Sequence, residues 1–180
     1  GTSKNNSMVQ VDSDTYVLAY TNSNNHGAIA TFTISSDGAT ITEVASSNHD
    51  TNNGTHNSLA QVDSDTYVLA YAGSGIDGYI KTFTISSNGS TISQVASLEH
   101  NTTDGGYNSI VQVDSDTYVL AYAGYGDDGF VTTFTISADG STITEVEELE
   151  HDTDNGTYNS IVKIDSDTYA LAYSGEGGEM

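Results

Sequence analysis

The chain repeats one stretch four times, and the third copy reads Asn108-Ser109-Ile110-Val111-Gln112-Val113-Asp114-Ser115-Asp116-Thr117-Tyr118-Val119-Leu120-Ala121-Tyr122. The other copies begin at Asn6, Asn57 and Asn159, so consecutive copies start 51 residues apart with no insertion or deletion. This period gives about 3.5 repeats in 180 residues, and each repeat is too small to bury a core alone. Neighbouring repeats must therefore bury one another's apolar surfaces.

Each repeat is predicted to form four short strands, because β-branched and aromatic residues come in runs separated by turn residues. The pattern lacks the 3.6-residue period of a helix, so no helix is predicted. In the third repeat, strands a, b, c and d are predicted at Ser109–Val113, Thr117–Tyr122, Phe130–Ile136 and Thr142–Leu149. The c–d turn contains Asp139-Gly140, a dipeptide that tolerates the positive φ of a tight turn.

The strands differ in how apolar their two faces are. In strand b, Tyr118 and Leu120 alternate with Val119 and Ala121, so both faces are apolar and the strand is expected between two neighbours. Strand d instead carries a run of glutamates that requires water: Glu145, Glu147 and Glu148. A gradient from dry inner strands to a wet outer strand is typical of a propeller blade.

With these features the chain resembles the β-propeller family, through its four-stranded repeats, its apolar strand a and its Tyr118–Tyr122 strand. The resemblance implies an all-β fold of about 3.5 tandem four-stranded blades, and it implies no single function, because propellers serve as lectins, hydrolases, scaffolds and adhesins. A β-solenoid or an array of small sandwiches is the alternative architecture. The regular spacing favours the propeller.

The period also predicts where the blades begin and which residues lie between them. Blades are predicted at residues 6–56, 57–107 and 108–158, with a tail at 1–5 and a half blade of strands a and b at 159–180. Large apolar side chains of strands b and c are expected between blades: Tyr16, Leu18, Phe32, Tyr67, Leu69, Phe83, Tyr118, Leu120, Phe134, Tyr169 and Leu171.

The last strand b, Thr168–Tyr173, predicts self-association. It lacks a strand c beside it and contains neither Pro nor Lys, the residues that commonly block edge pairing. Two such edges are expected to pair antiparallel about a two-fold axis, or two chains are expected to close a ring.

Composition limits the partners of this chain. It has 25 acidic residues, three Lys and a formal charge of -22, so nucleic acid and anionic membranes are not expected partners, whereas neutral glycans remain compatible. The absence of Cys excludes disulfides and thiolate chemistry. The acidic, Lys-poor, Ser/Thr/Asn/Gly-rich make-up is typical of exported bacterial proteins and predicts an extracellular or cell-surface location.

Variable loops on one face are the predicted binding site. In a propeller the d–a and b–c connections emerge on the same face, and here the b–c loops vary while the opposite turns hardly change. Tyrosines in these connections are suited to stacking on sugar rings, although packing against the neighbouring blade or neutral drift would explain them equally. The candidate ligand-binding residues are His26, Asp77, Tyr107, Tyr125, Asp127, Tyr158, His49, His100 and His151.

Metal binding is not predicted, with Ca²⁺ as the one cofactor left open. The histidines at the ends of strands d, such as His100, are expected to cap their own loops by hydrogen bonding, because blades hold equivalent residues too far apart to share one zinc ion. A local cation site at His151 with Asp152 and Asp154 is the alternative. The Asp-Ser-Asp turns offer hard ligands for Ca²⁺, but aspartate is also a common turn former.

Catalysis is not predicted either. Strand a and the Tyr118–Tyr122 strand are also similar to inner strands of furanosidase-like glycoside hydrolases, but near-identical blades leave no pair of carboxylates in different environments. The sequence therefore predicts a non-catalytic binding or surface-display module that binds glycans through its variable loops. The alternatives are a structural spacer, a fragment of a larger propeller, and a glycoside-hydrolase-like propeller.

Overall fold

A computed structural model describes residues 6–175 as three four-stranded antiparallel sheets followed by a two-stranded hairpin. The strands are β1 (Ser7–Gln10), β2 (Thr15–Thr21), β3 (Gly27–Ile34), β4 (Ile41–Asp50), β5 (Thr55–Gln61), β6 (Thr66–Ala72), β7 (Gly78–Ile85), β8 (Ile92–Asn101), β9 (Gly106–Gln112), β10 (Thr117–Ala123), β11 (Gly129–Ile136), β12 (Ile143–Asp152), β13 (Thr157–Lys163) and β14 (Tyr169–Ser174). Blade 1 is β1–β4, blade 2 is β5–β8, blade 3 is β9–β12, and half blade 4 is β13–β14. Strands pair in chain order within each sheet, which confirms the predicted all-β tandem architecture.

The strands are longer than the hydrophobic pattern predicts. β9 begins at Gly106 and not Ser109, because a bulge opposite Tyr122 inserts one extra residue ahead of the regular pairing. β5, β9 and β13 consequently start two residues before the repeat boundaries at 57, 108 and 159. β12 runs on to Asp152, three residues past the predicted end of strand d. The predicted tail at 1–5 lies outside the described residues.

Two b–c loops contain single 3-10 turns that the sequence does not predict, Ser74–Ile76 and Tyr125–Asp127. A glycine with φ near +77° lies at the centre of each, Gly75 at 76° and Gly126 at 78°. Glycine enters this left-handed region without steric penalty, which permits so tight a turn. Between residues 6 and 175 there is no helix long and apolar enough to cross a membrane.

The hydrophobic core lies between blades and not within them. Val17 and Ala19 of blade 1 pack against Tyr67, Leu69 and Tyr71 of blade 2. The equivalent residues pack in the same way between blades 2 and 3 and between blade 3 and half blade 4. β6 and β10 thus each present a Tyr-Leu face to the preceding blade and a Val-Ala face to the following one, which confirms that strand b is sandwiched where blades lie on both sides.

Burial of the predicted core residues depends on the position of their blade. Those of blades 2 and 3 are buried: Tyr67, Leu69, Phe83, Tyr118, Leu120 and Phe134. The remaining five are only half-buried, contrary to prediction: Tyr16, Leu18, Phe32, Tyr169 and Leu171. The reason is that, among the residues described, nothing covers the Tyr-Leu face of blade 1, and no strand c extends half blade 4. The outer strands β4 and β12 are mostly exposed, as predicted, and β8 is exposed at half of its residues.

Neighbouring blades are also joined by polar contacts that repeat with the 51-residue period. The Thr31 hydroxyl of blade 1 donates to the Gly89 carbonyl in the c–d turn of blade 2 at 2.7 Å, and Thr82 does the same to Gly140 of blade 3. On the inner strands, the main-chain N–H of Leu59 donates to the Ser7 hydroxyl of the preceding blade at 2.9 Å. These bonds fix the register of each blade on the next.

Candidate functional site

The d–a and b–c connections form one continuous face, named here the loop face. It consists of residues 22–26, 73–77 and 124–128 from the b–c connections and 51–54, 102–105 and 153–156 from the d–a connections. Main-chain hydrogen bonds tie the two sets together: Gly105 donates to Ile76 at 2.9 Å and Gly156 donates to Asp127 at 2.7 Å. The variable loops are therefore held on a hydrogen-bonded frame.

A row of aromatic side chains borders the loop face where the inner strands begin. His56, Tyr107 and Tyr158 occupy the same position in β5, β9 and β13, with left-handed φ values of 54°, 53° and 55°. Ring centroids are 4.3 Å apart between His56 and Tyr107 and 4.6 Å apart between Tyr107 and Tyr158. The structure thus brings the predicted residues Tyr107 and Tyr158 together, adds His56 to them, and shows that they also pack from blade to blade.

Beside His56 lies an open cleft of about 360 Å³ between blades 1 and 2. It is named here the first cleft, and its lining consists of Asn25, Asn52, Asn53, Thr55, His56 and Ile76. None of these residues was a sequence candidate for ligand binding, because they come from three separate segments. Asn25 and Ile76 have left-handed φ values of 65° and 76°, and this conformation is unusual for a β-branched residue such as Ile76. Strain of this kind is commonly retained at functional sites.

The equivalent positions between blades 2 and 3 carry a different chemistry. Advancing each residue of the first cleft by 51 positions gives Ile76, Thr103, Asp104, Gly106, Tyr107 and Asp127, a set defined by repeat position alone and named here the second groove. Burial raises the pKa of Asp104, and the nearby carboxylates of Asp127 and Asp77 raise it further. The first cleft is therefore neutral, whereas the second groove is acidic.

The remaining loop candidates lie on the loop face but differ in role. The main-chain carbonyls of His26 and Asp77 close their b–c loops by accepting hydrogen bonds from Asn22 at 2.9 Å and Gly73 at 2.8 Å. Tyr125 is 76% exposed within the 3-10 turn of blade 3. Of these residues, Tyr125 has the most surface available to a ligand.

The three strand-d histidines lie between blades, beneath the loop face. His49, His100 and His151 meet Tyr71, Tyr122 and Tyr173 of the following blade edge-on, with ring centroids 4.5, 4.9 and 4.7 Å apart. Contrary to prediction, neither ring nitrogen of His100 makes a hydrogen bond within residues 6–175, so this ring does not cap its loop. It packs instead over Gly78, where a Cβ would lie 2.5 Å from the imidazole Cε1.

Burial keeps two of these histidines neutral. It lowers the pKa of His100 to about 4, and burial together with the nearby Lys81 ammonium lowers the pKa of His49 to about 4. Lys81 Nζ donates to the His49 carbonyl and lies 5.4 Å from the centroid of the Tyr71 ring. These groups form an interblade contact.

The described residues contain no group of three or more His, Asp or Glu side chains placed to hold a metal ion. The first aspartate of the Asp-Ser-Asp turns bonds its own backbone: Asp114 accepts from the N–H of Asp116 at 3.2 Å and of Thr117 at 3.1 Å. Asp152, part of the alternative cation site, accepts from the N–H of Asp154 at 3.0 Å. This is the turn-forming role of aspartate, and Ca²⁺ binding stays a prediction.

A model of the family described as lactonase, 7-bladed β-propeller, matches residues 15–160. The chain belongs to this family. No curated protein matches its sequence. Among solved structures, it is similar to the sialidase NanB of Streptococcus pneumoniae, with a TM-score of 0.68 and 12% identity over 92% of this chain and 26% of that one.

Two further similar structures differ in activity from the sialidase. One is the Pseudomonas aeruginosa periplasmic gluconolactonase PpgL, with a TM-score of 0.52 and 9% identity. The match covers 88% of this chain and 61% of that one. The other is Chaetomium thermophilum Sqt1 bound to the N-terminus of a ribosomal protein, with a TM-score of 0.57 and 17% identity. The match covers 87% of this chain and 39% of that one. At these identities the likeness concerns the fold alone, and the chain spans less than two thirds of each structure.

Proposed function

We propose that this chain is a non-catalytic binding module that takes a neutral, hydroxyl-rich ligand, a glycan, in the first cleft. The observation that carries the proposal is the uncharged lining, in which Asn25, Asn52 and Asn53 stand beside the His56 ring and Ile76. Asparagine amides both donate and accept hydrogen bonds, as pairs of sugar hydroxyls require. Ile76, which is 50% exposed, offers apolar surface to the C–H face of a sugar ring.

The charge of the whole chain supports a neutral ligand. With a formal charge of -22, the protein repels anionic ligands at long range, and a glycan without acidic groups meets no such barrier. The extracellular or cell-surface location proposed from composition would place the loop face where glycans are abundant. Repetition of the aromatic row from blade to blade would add avidity for a ligand that spans two blades.

Lactone hydrolysis is the second candidate, and the family match together with Asp104 favours it. A carboxylate with a raised pKa is suited to general-base catalysis on water. Glycoside hydrolysis needs two carboxylates in different environments, so the first cleft, whose lining contains none, does not suit it, and only the second groove offers two, Asp104 and Asp127. A structural spacer without any ligand is the remaining alternative.

A glycan array followed by calorimetric titration tests the proposal. We expect a neutral glycan to bind the wild type, and Asn52→Ala to weaken binding about threefold to tenfold through the loss of one hydrogen bond. Thr103→Ala, the equivalent change in the second groove, is the matched control and should leave the affinity unchanged. Parallel titrations with Ca²⁺ and with EDTA test whether a cation contributes.

The outcomes separate the candidates. Equal weakening of glycan binding by Asn52→Ala and Thr103→Ala would show that the glycan does not bind specifically in the first cleft. Absence of glycan binding, together with lactone turnover that Asp104→Asn abolishes, would favour the hydrolase. Absence of both binding and turnover would favour the spacer.

A further inference from the structure

Two apolar surfaces at opposite ends of the array have no neighbour among residues 6–175. The first end face is the Tyr-Leu face of blade 1, formed by Met8, Tyr16, Leu18 and Tyr20. The last end face is the Val-Ala face of half blade 4, formed by Val162, Ile164, Ala170 and Ala172. Each corresponds to one side of the contact that already joins consecutive blades.

Equivalent positions show how much surface the end faces leave open. Met8 is 53% exposed, whereas its equivalents on the same face of later repeats are 7 or 8% exposed: Leu59, Ile110 and Ile161. Ile164 is 64% exposed, whereas Val62, its equivalent between blades 2 and 3, is 8% exposed. These side chains are apolar because their position in the repeat is buried wherever a neighbour is present.

A polar contact repeats across every inner interface and ends at the last end face. The N–H groups of Leu59, Ile110 and Ile161 each donate to a serine hydroxyl on strand a of the preceding blade, at 2.9, 3.1 and 3.1 Å. The serines are Ser7, Ser58 and Ser109. The next serine in this series is Ser160, on the last end face, and the residue equivalent to the donors on the first end face is Met8.

We propose that the last end face of one copy of this chain binds the first end face of a second copy, head to tail. Ala170 and Ala172 of half blade 4 then pack on Tyr16, Leu18 and Tyr20, as Val119 and Ala121 pack on Tyr169 and Leu171 within the chain. The Met8 N–H donates to the Ser160 hydroxyl and fixes the register. Both surfaces and the hydrogen bond repeat an arrangement seen three times in the structure.

This contact differs in symmetry from the edge pairing of Thr168–Tyr173 that the sequence predicts. Edge pairing joins two identical surfaces about a two-fold axis, so one type of edge suffices. The head-to-tail contact joins two different surfaces and needs one of each. Substitutions confined to a single end face therefore distinguish the two arrangements.

Two variants test the proposal, Met8→Asp on the first end face and Val162→Asp on the last. Both side chains are more than half exposed, at 53% and 54%, so each change removes little packing within the chain, and circular dichroism checks the fold. Masses are measured by light scattering at micromolar concentration in about 0.5 M NaCl, which screens the repulsion between two acidic chains.

The wild type is expected to exceed the monomer mass of 18.9 kDa, and each variant alone is expected to remain at 18.9 kDa. An equimolar mixture of the variants should form a dimer of twice that mass, because each supplies the face that the other lacks. Ser160→Ala should weaken association about threefold to tenfold, as loss of one hydrogen bond predicts.

Three results would overturn the proposal. A monomeric wild type would show that the end faces do not bind each other. Self-association of Met8→Asp at wild-type strength would favour edge pairing. A mixture that stays monomeric although the wild type associates would also exclude the head-to-tail contact.

Discussion

Leu120→Ala is expected to lower the free energy of unfolding by about 2–5 kcal/mol, because Leu120 is fully buried between blades 2 and 3 and truncation leaves a cavity. Leu18 has the same neighbours in sequence but lies half-buried on the first end face, so Leu18→Ala should lower the free energy of unfolding much less. Denaturation in guanidinium chloride measures both losses of unfolding free energy. Both substitutions are made in the Val162→Asp chain, so that a second copy does not cover Leu18.

Comparison of Leu18→Ala with Leu120→Ala separates the effect of interblade packing from that of local strand propensity. Residues 12–20 and 114–122 have the same sequence, so strand propensity and unfolded-state effects cancel between the two substitutions. Equal losses at Leu18 and Leu120 would mean that interblade burial does not determine stability.

Acidification from pH 6.5 to pH 4 is expected to destabilise the fold through His49 and His100. Burial lowers the pKa of both from an ordinary 6.5 to about 4, so the folded state disfavours the charged ring. The stability that the two neutral imidazoles contribute is fully present above pH 6.5 and is lost as the pH falls towards 4. The difference between the ordinary and the folded-state pKa corresponds to about 3 kcal/mol of stability for each histidine. Chemical denaturation at a series of pH values measures this slope.

His100→Gln provides the control for the acid effect. The variant retains a polar side chain at the interface but does not titrate, so the part of the slope between pH 6.5 and pH 4 that His100 contributes should disappear. Asp139 titrates in a lower range, because hydrogen bonds from Ser137 and Ser141 lower its pKa to about 2. An unchanged slope in His100→Gln would show that this buried imidazole does not account for the acid sensitivity.

Much of the fold could be predicted from the sequence because the information is local and repeated. The alternation of Tyr118 and Leu120 with Val119 and Ala121 identifies both buried faces of strand b, and the fixed period identifies its neighbours. The half-burial of Leu18 could not be predicted from this pattern, because the same residues occur in every copy. Exposure there depends on which blade is present beside the strand.

The candidate site was predicted only in part, for a different physical reason. Tyr107 and Tyr158 were identifiable as aromatic residues at one repeat position, although the bulge that aligns them with His56 depends on left-handed φ values that hydrophobic patterns do not reveal. The first cleft combines Asn52 and Ile76 from separate loops, so it exists only after the blades pack. His100 was assigned a hydrogen bond because the sequence does not show that its ring covers Gly78.

We infer that neighbouring blades, more than the strands of a single sheet, hold each repeat in place. Hydrogen exchange followed by mass spectrometry measures this effect, because residues 12–20, 63–71 and 114–122 are identical in sequence and share intrinsic exchange rates. In the Val162→Asp chain we predict that the amides of β6 and β10, with blades on both sides, exchange about tenfold or more slowly than those of β2. Equal rates in all three segments would show that neighbouring blades do not determine the stability of each repeat.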